Sequence, residues 1–159
     1  MALFMDDVRI STPRNRLAKI LEGIGGRTIA DMSSDAESRV AVLAGAIRKF
    51  AAAQVAEIME IHRQGEIAMF SESRRVSSLA MNIAETAGAG QMHPLGEAAR
   101  GVCAMIDALI ADGVWHTEAL EAHLNALVLF SCPHAPGEKE MARVVARLSE
   151  LRAAVGITD

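Results

Sequence analysis

The chain has 159 residues, of which 51% are apolar and 3% aromatic, and its formal net charge at pH 7 is −4. A chain of this length buries roughly two-thirds of the surface it exposes when unfolded, so we expect one helical domain over residues 1–159. The excess of acidic over basic residues argues against a nucleic-acid-binding protein, because contact with phosphate backbones needs a clustered excess of Lys and Arg.

Neither a membrane span nor a secretory signal is indicated. The sequence has no run of about 18 uncharged apolar residues. Its first residues, MALFMDDVRI, lack the basic start and the long apolar run of a signal peptide. Cys103 and Cys132 form neither a paired metal motif nor a disulfide framework. We therefore expect a cytoplasmic protein without membrane contact.

The first two predicted helices cover the N-terminal part of the chain. A Thr-Pro pair begins a helix at about residues 12–25, which ends at two glycines. Ser34 and Glu37 have the spacing of a capping box and begin a second helix that continues from about residue 35 to Arg63. We expect one buried face on this second helix, made of Val40, Leu43, Ile47, Phe50, Val55, Ile58 and Ile61.

Four further helices are predicted from apolar residues at three- and four-residue spacing. The third helix covers Glu66 to Ala87, and the fourth begins near Pro94 and has Gly113 as its C-cap. Thr117 is expected to cap the fifth helix, which Cys132-Pro133 ends. The sixth helix covers about residues 136–155.

These six segments predict the fold class. No segment alternates apolar and polar residues long enough to be a strand, so we expect an all-α protein. The connections are short, which favours antiparallel neighbours. Residues 35–131 are therefore predicted to form an antiparallel up-and-down four-helix bundle, with the helices at 12–25 and 136–155 as additions.

Patterns typical of catalysis and metal binding are missing from the sequence. His116 and His123 lie seven residues apart, whereas chelating pairs such as HExxH are one turn apart. The GxSxG signature of a serine nucleophile does not occur, and Cys103 lies in an apolar helical pattern typical of an inert core residue. We expect no enzymatic activity, no metal and no cofactor.

The third predicted helix carries a row of polar residues beside its apolar face. Arg75, Ser78, Asn82 and Glu85 recur at three- and four-residue spacing and form what we term the polar stripe. The surrounding region, VSSLAMNIAETAGAGQMHPLGEAARGVCAMID, resembles a histidine-containing phosphotransfer (HPt) domain, a four-helix-bundle module that transfers phosphate in two-component signalling. Such domains carry a phosphorylated histidine, a lysine three residues later, small residues and a glycine-containing corner.

The resemblance places Asn82 where the histidine of an HPt domain would be and Glu85 where the lysine would be. With a shift of one residue, Met81 is the equivalent position. Val102-Cys103 and Asp107 fall near the Leu-Cys pair and the acidic residue of the family. An asparagine amide cannot form a phosphoramidate, and Glu85 reverses the charge that would help to hold a phosphoryl group.

The resemblance therefore implies a degenerate HPt-like adaptor. Its partner would be a response-regulator receiver domain or a histidine kinase, bound through Arg75, Ser78, Asn82 and Glu85. One alternative is an active phosphotransfer protein that uses His62 or His93 as the acceptor. Another is a structural bundle whose Met-rich and Ala-rich helices pair with copies of themselves, for example as a homodimer.

Overall fold

The computed structural model describes residues 28–157, and this part of the chain is all-α, as predicted, with no strand. Its six helices are α1 Ile29–Arg63, α2 Glu66–Ser71, α3 Ser73–Thr86, α4 His93–Asp112, α5 Thr117–Ser131 and α6 Glu138–Ala154. The helix predicted at residues 12–25 lies outside the described residues. The chain divides into two units at Glu37 and Ser38, and residues 28–37, the described part of the first unit, begin α1.

The beginning of α1 differs from the prediction. The Thr28 hydroxyl accepts a hydrogen bond from the Asp31 backbone N–H at 3.1 Å, and an Asp31 carboxylate oxygen accepts one from the Thr28 N–H at 3.0 Å. This reciprocal pair is a capping box, and it satisfies backbone donors at the helix start. The hydrogen bond from the Thr28 hydroxyl also lowers the pKa of Asp31. The capping box predicted at Ser34 and Glu37 was wrong, because both residues lie inside the helix.

Helix α1 has two apolar faces between residues 40 and 61, not the single face that was predicted. The face in the core consists of Ala44, Ala51, Val55, Ile58 and Ile61. Val40, Leu43 and Phe50 are 48%, 59% and 44% exposed, so their predicted burial was wrong. Each helical residue advances by about 100°. Leu43 and Phe50 each precede a buried alanine by one residue, which turns them away from the core, and the prediction merged the two faces into one.

The predicted helix from Glu66 to Ala87 is interrupted at Glu72, whose backbone has φ −101° and ψ 13°. Hydrogen bonding continues on both sides of this residue, from the Glu72 N–H to the Ala68 carbonyl and from the Val76 N–H to the Glu72 carbonyl, both at 2.9 Å. The short helix α2 is therefore joined to α3 at Glu72 without a loop. The Phe70 ring packs against Trp115 with 4.5 Å between ring centroids, which connects α2 to the chain before α5.

Helix α4 is central to the larger unit, because it packs against α3, α5 and α6. Gly96 lies against Ala87, and the Cys103 thiol donates to the Ser77 carbonyl at 3.7 Å, so α3 and α4 are antiparallel. Gly113 ends α4 in the left-handed conformation with φ 68°, as its predicted role as a C-cap requires. None of the helices within residues 28–157 has the length and apolar character needed to cross a membrane.

The packing of α4 on α5 depends on a glycine facing a buried histidine. A Cβ atom at Gly101 would lie 2.2 Å from Cδ2 of His123, so no larger residue fits without movement. The His123 ring is fully buried, and Nδ1 donates to the Ala119 carbonyl at 2.8 Å. Burial lowers the pKa of His123 from 6.5, so the ring is neutral at pH 7.

Candidate functional site

The polar stripe lies on α3 beside a buried apolar face. That face consists of Val76, Leu79, Ala80, Ile83 and Ala84, at positions that alternate with the stripe along the helix. Arg75, Ser78 and Glu85 are exposed, and Asn82 is half-buried. The structure therefore brings the four predicted residues onto one accessible side of α3, and none of them is sealed inside the core.

Arg75 connects the stripe to α1. Its guanidinium donates to the Glu57 carboxylate through Nε at 2.9 Å and through Nη2 at 2.5 Å, and Glu72 lies 3.8 Å from Nη1. Both partners of the first pair are more than one-third exposed, so the pair stabilises the fold by at most about 1 kcal/mol. Its main effect is to orient the guanidinium along the surface between the two helices.

Asn82 makes the second connection to α1. Its amide nitrogen donates to the Gln54 side-chain oxygen at 3.4 Å, while its backbone carbonyl accepts from the Thr86 hydroxyl at 2.7 Å. Gln54 pairs with Asn82 and Glu57 with Arg75, so α1 and α3 are antiparallel here. The accessible surface is thus formed by both helices, and we term the polar stripe together with Gln54 and Glu57 the α1–α3 face.

Sequence reasoning missed Gln54 and Glu57. They lie three residues apart on α1, next to the buried residues Val55 and Ile58, so a polar row beside an apolar face was the available signal. That signal does not distinguish them from other solvated positions. Only the packing of α1 against α3 shows that these two side chains border the stripe.

The two histidines considered as phosphate acceptors lie elsewhere. His62 is half-buried near the end of α1 and lines a cavity of about 310 Å³ together with Glu66 and Trp115. His93 is the exposed first residue of α4. Neither belongs to the polar stripe, so the α1–α3 face holds no imidazole.

Thr117 has a different role from the predicted one. It is the first residue of α5, and no side-chain hydrogen bond caps this helix. The Thr117 hydroxyl donates to Glu66 at 2.6 Å and accepts from the Trp115 indole N–H at 3.0 Å. The hydrogen bond from Thr117, followed by that from Trp115, lowers the pKa of Glu66. These contacts hold α2 against the start of α5.

Residues 28–157 contain neither a metal-binding cluster nor a lowered thiol pKa at Cys103. Within residues 28–157, no group of three or more His, Cys, Asp and Glu side chains could hold a metal ion. Burial, followed by the charge of Asp107, raises the pKa of the Cys103 thiol to about 11. A thiol that is protonated at neutral pH is a poor nucleophile, and Cys103 packs in the core next to Val102.

Comparison with known proteins gave no relative. No family model matches the chain, and no curated protein or solved structure is significantly similar to it. The resemblance to HPt domains therefore depends on the sequence pattern of residues 76–107 alone.

Proposed function

We propose that this chain is a non-catalytic two-component signalling adaptor that binds a response-regulator receiver domain or a histidine kinase through the α1–α3 face. In this interpretation α1, α3, α4 and α5 are the four helices of an HPt-like bundle, α6 is an addition, and the protein acts in the cytoplasm. The observation that supports it best is that Asn82, which the resemblance to HPt domains aligns with their histidine, lies on an accessible helix face.

The chemistry of the α1–α3 face suits binding without phosphoryl transfer. The Asn82 amide can donate and accept hydrogen bonds but cannot take a phosphoryl group. Arg75 offers a planar cation already oriented by Glu57, and Glu85 is exposed on the same side of α3. A receiver domain held on this face would be unable to contact an active phosphotransfer protein at the same time, so the adaptor would act as a competitor.

Charge reversal at Arg75 tests this function. Arg75→Glu would place a third carboxylate beside Glu57 and Glu72 and remove the oriented cation. We expect it to weaken binding of the partner receiver domain by about tenfold or more, because a like charge replaces an interface arginine. Calorimetric titration against purified receiver domains from the same organism measures the effect, with circular dichroism to verify that the variant folds.

Arg147→Glu is the matched control, because Arg147 is also exposed and paired with a carboxylate one turn away, but on α6. We expect it to bind like the wild type. The function is contradicted if no receiver domain or kinase binds the wild-type chain, or if Arg75→Glu and Asn82→Ala both leave the affinity unchanged. Transfer of acid-labile label from a phosphorylated receiver to His62 or His93 would instead favour an active phosphotransfer protein.

Assembly of copies is a second candidate function, favoured by the exposed apolar face of α1. Val40, Leu43, Ile47 and Phe50 follow one another at steps of three, four and three residues, which is the spacing of a coiled-coil seam. Ile47 is half-buried, and the other three are exposed. Contiguous apolar surface that is left exposed is a feature of protein–protein interaction sites.

Leu43→Glu is expected to convert such a dimer to a monomer, since it places a charge in the centre of the seam. Sedimentation velocity at tens of micromolar protein measures this change. Val42→Glu is the matched control, because Val42 is 76% exposed but lies outside the seam, one residue from Leu43. A wild-type chain that sediments as a monomer would contradict assembly through α1.

A further inference from the structure

A cavity apart from the α1–α3 face has the character of a small-molecule site. It has a volume of about 540 Å³ and lies between α1, the corner that joins α3 to α4, and the loop after α5. Ligand sites typically have volumes of about 300–1,000 Å³. Apolar side chains from four parts of the chain line it: Met92, Leu95, Phe130 and Met141. Leu95 and Phe130 are buried, so they provide a fixed apolar wall.

The charged residues that line this cavity are both cations. Arg48 and Lys49 come from consecutive positions of α1, and none of the described lining residues is acidic. Among the ion pairs of residues 28–157, none includes either of these cations. An apolar wall beside two cations that have no carboxylate partner within residues 28–157 is complementary to a ligand with an apolar body and a negative head.

A hydrogen bond to the backbone holds one of the two cations, Arg48, beside the cavity. The Arg48 Nε–H donates to the Gly90 carbonyl at 3.3 Å, which fixes the guanidinium at the corner and leaves its terminal nitrogens as the donors that a carboxylate binds in pairs. Helix α4 begins at the same corner with Met92 as its N-cap and without a side-chain capping bond. The positive end of the helix dipole therefore adds to the potential of the two cations.

The corner itself is held in a conformation that side-chain-bearing residues rarely adopt. Gln91 lines the cavity and has φ 57°, in the left-handed region. Backbone hydrogen bonds hold it in place, from the Gln91 N–H to the Gly88 carbonyl at 3.1 Å and from the Met92 N–H to the Ala87 carbonyl at 2.8 Å. These two bonds form the Schellman pattern that commonly ends a helix, so Gln91 closes the turns after α3 and gives the corner a fixed shape beside the cavity.

We infer that this cavity binds an organic anion with an aliphatic body, with the carboxylate head between Arg48 and Lys49 and the chain against Met92, Leu95 and Phe130. This inference does not depend on the proposed signalling function. It identifies a ligand class, medium-chain carboxylates, that neither the polar stripe nor the resemblance to HPt domains would indicate.

Cys132 provides a direct reporter, because it is exposed and lines the cavity, whereas the protein's other cysteine, Cys103, is buried. We expect decanoate, used below its micelle concentration, to slow alkylation of Cys132 by iodoacetamide in the full-length protein. Decanol at equal concentration lacks the charge, and we expect it to slow the alkylation of Cys132 about fivefold less than decanoate, or by an even smaller factor. Mass spectrometry of the alkylated chain separates Cys132 from Cys103.

The double variant Arg48→Gln/Lys49→Gln removes both charges from exposed positions, and we expect the decanoate concentration for half-protection to rise about fivefold or more. Arg74→Gln is the matched control, because Arg74 is exposed on α3 and does not line the cavity. Equal protection by decanol, no protection by decanoate, or unchanged protection in the double variant would each overturn the inference. These results are independent of whether any receiver domain binds.

Discussion

Gly101→Ala is expected to lower the free energy of unfolding by about 2 kcal/mol, although alanine is the better helix former. The added Cβ would lie 2.2 Å from Cδ2 and 2.6 Å from Nε2 of His123, whose ring is fully buried and hydrogen-bonded to the Ala119 carbonyl. Overpacking of this kind costs about 1–3 kcal/mol, and the short distances favour the upper end of that range. The helix propensity of alanine offsets about 1 kcal/mol of the cost.

Urea unfolding followed by circular dichroism measures the effect, and Gly45→Ala is the matched control. Gly45 also lies inside a helix, α1, but a Cβ there would meet no atom from other parts of residues 28–157 within 4 Å. The control is expected to gain about 0.5–1 kcal/mol. In a His123→Ala background, Gly101→Ala should cost less, because the ring that it meets has been removed. If the changes in the free energy of unfolding of the two single variants were additive, contact between the added Cβ and the His123 ring would not explain the loss of stability.

Acidification below pH 6.5 is expected to destabilise the wild-type protein through His123. Desolvation by burial and the nearby positive charge of Arg152 lower the pKa of the folded state, and the hydrogen bond to Ala119 opposes them only in part. The unfolded state keeps a pKa near 6.5. It therefore binds a proton at pH values where the folded state does not. The stability that the neutral ring provides is complete above pH 6.5 and is lost as the pH falls from 6.5 towards the lowered pKa.

One such group changes the free energy of unfolding by at most about 1.4 kcal/mol per pH unit. The test compares wild type with His123→Gln, whose side chain stays neutral, by urea unfolding from pH 7.5 to pH 5. We expect the wild type to lose stability faster than the variant below pH 6.5. Glu97 and Arg152 line the small cavity beside His123. Both proteins contain them, so their contributions to the pH dependence of stability cancel in the comparison. If the free energies of unfolding of the two proteins fell equally with pH, His123 would not be the cause of the acid destabilisation.

The all-α class and most of the helix limits could be predicted from local signals. The break at Gly113, the end of α5 before Cys132 and the start of α4 at His93-Pro94 all depend on backbone preferences of Gly and Pro, which act within a few residues. The face of α1 was assigned less well. Its apolar residues satisfy helical spacing on two adjacent faces, and only tertiary packing selects Ala51 and Val55 over Leu43 and Phe50.

The position of the polar stripe on α3 was also predictable from local signals. Helical spacing alone places Arg75, Ser78, Asn82 and Glu85 on one side of α3, and the structure agrees. The contribution of Gln54 from α1 was not predictable, because it depends on which helix packs beside α3. The burial of His123 against Gly101 is likewise a property of the α4–α5 contact, since a histidine on a Leu-rich helix face is compatible with surface or core.

Hydrogen–deuterium exchange of the full-length chain, with and without the receiver domain or kinase that it binds most tightly, tests the docking claim most directly. We expect slowed exchange in α3, over residues 73–86, and in the part of α1 around Gln54 and Glu57, with no change in α6. Protection confined to α5 and α6, or to α1 residues 40–50 without α3, would contradict binding through the α1–α3 face.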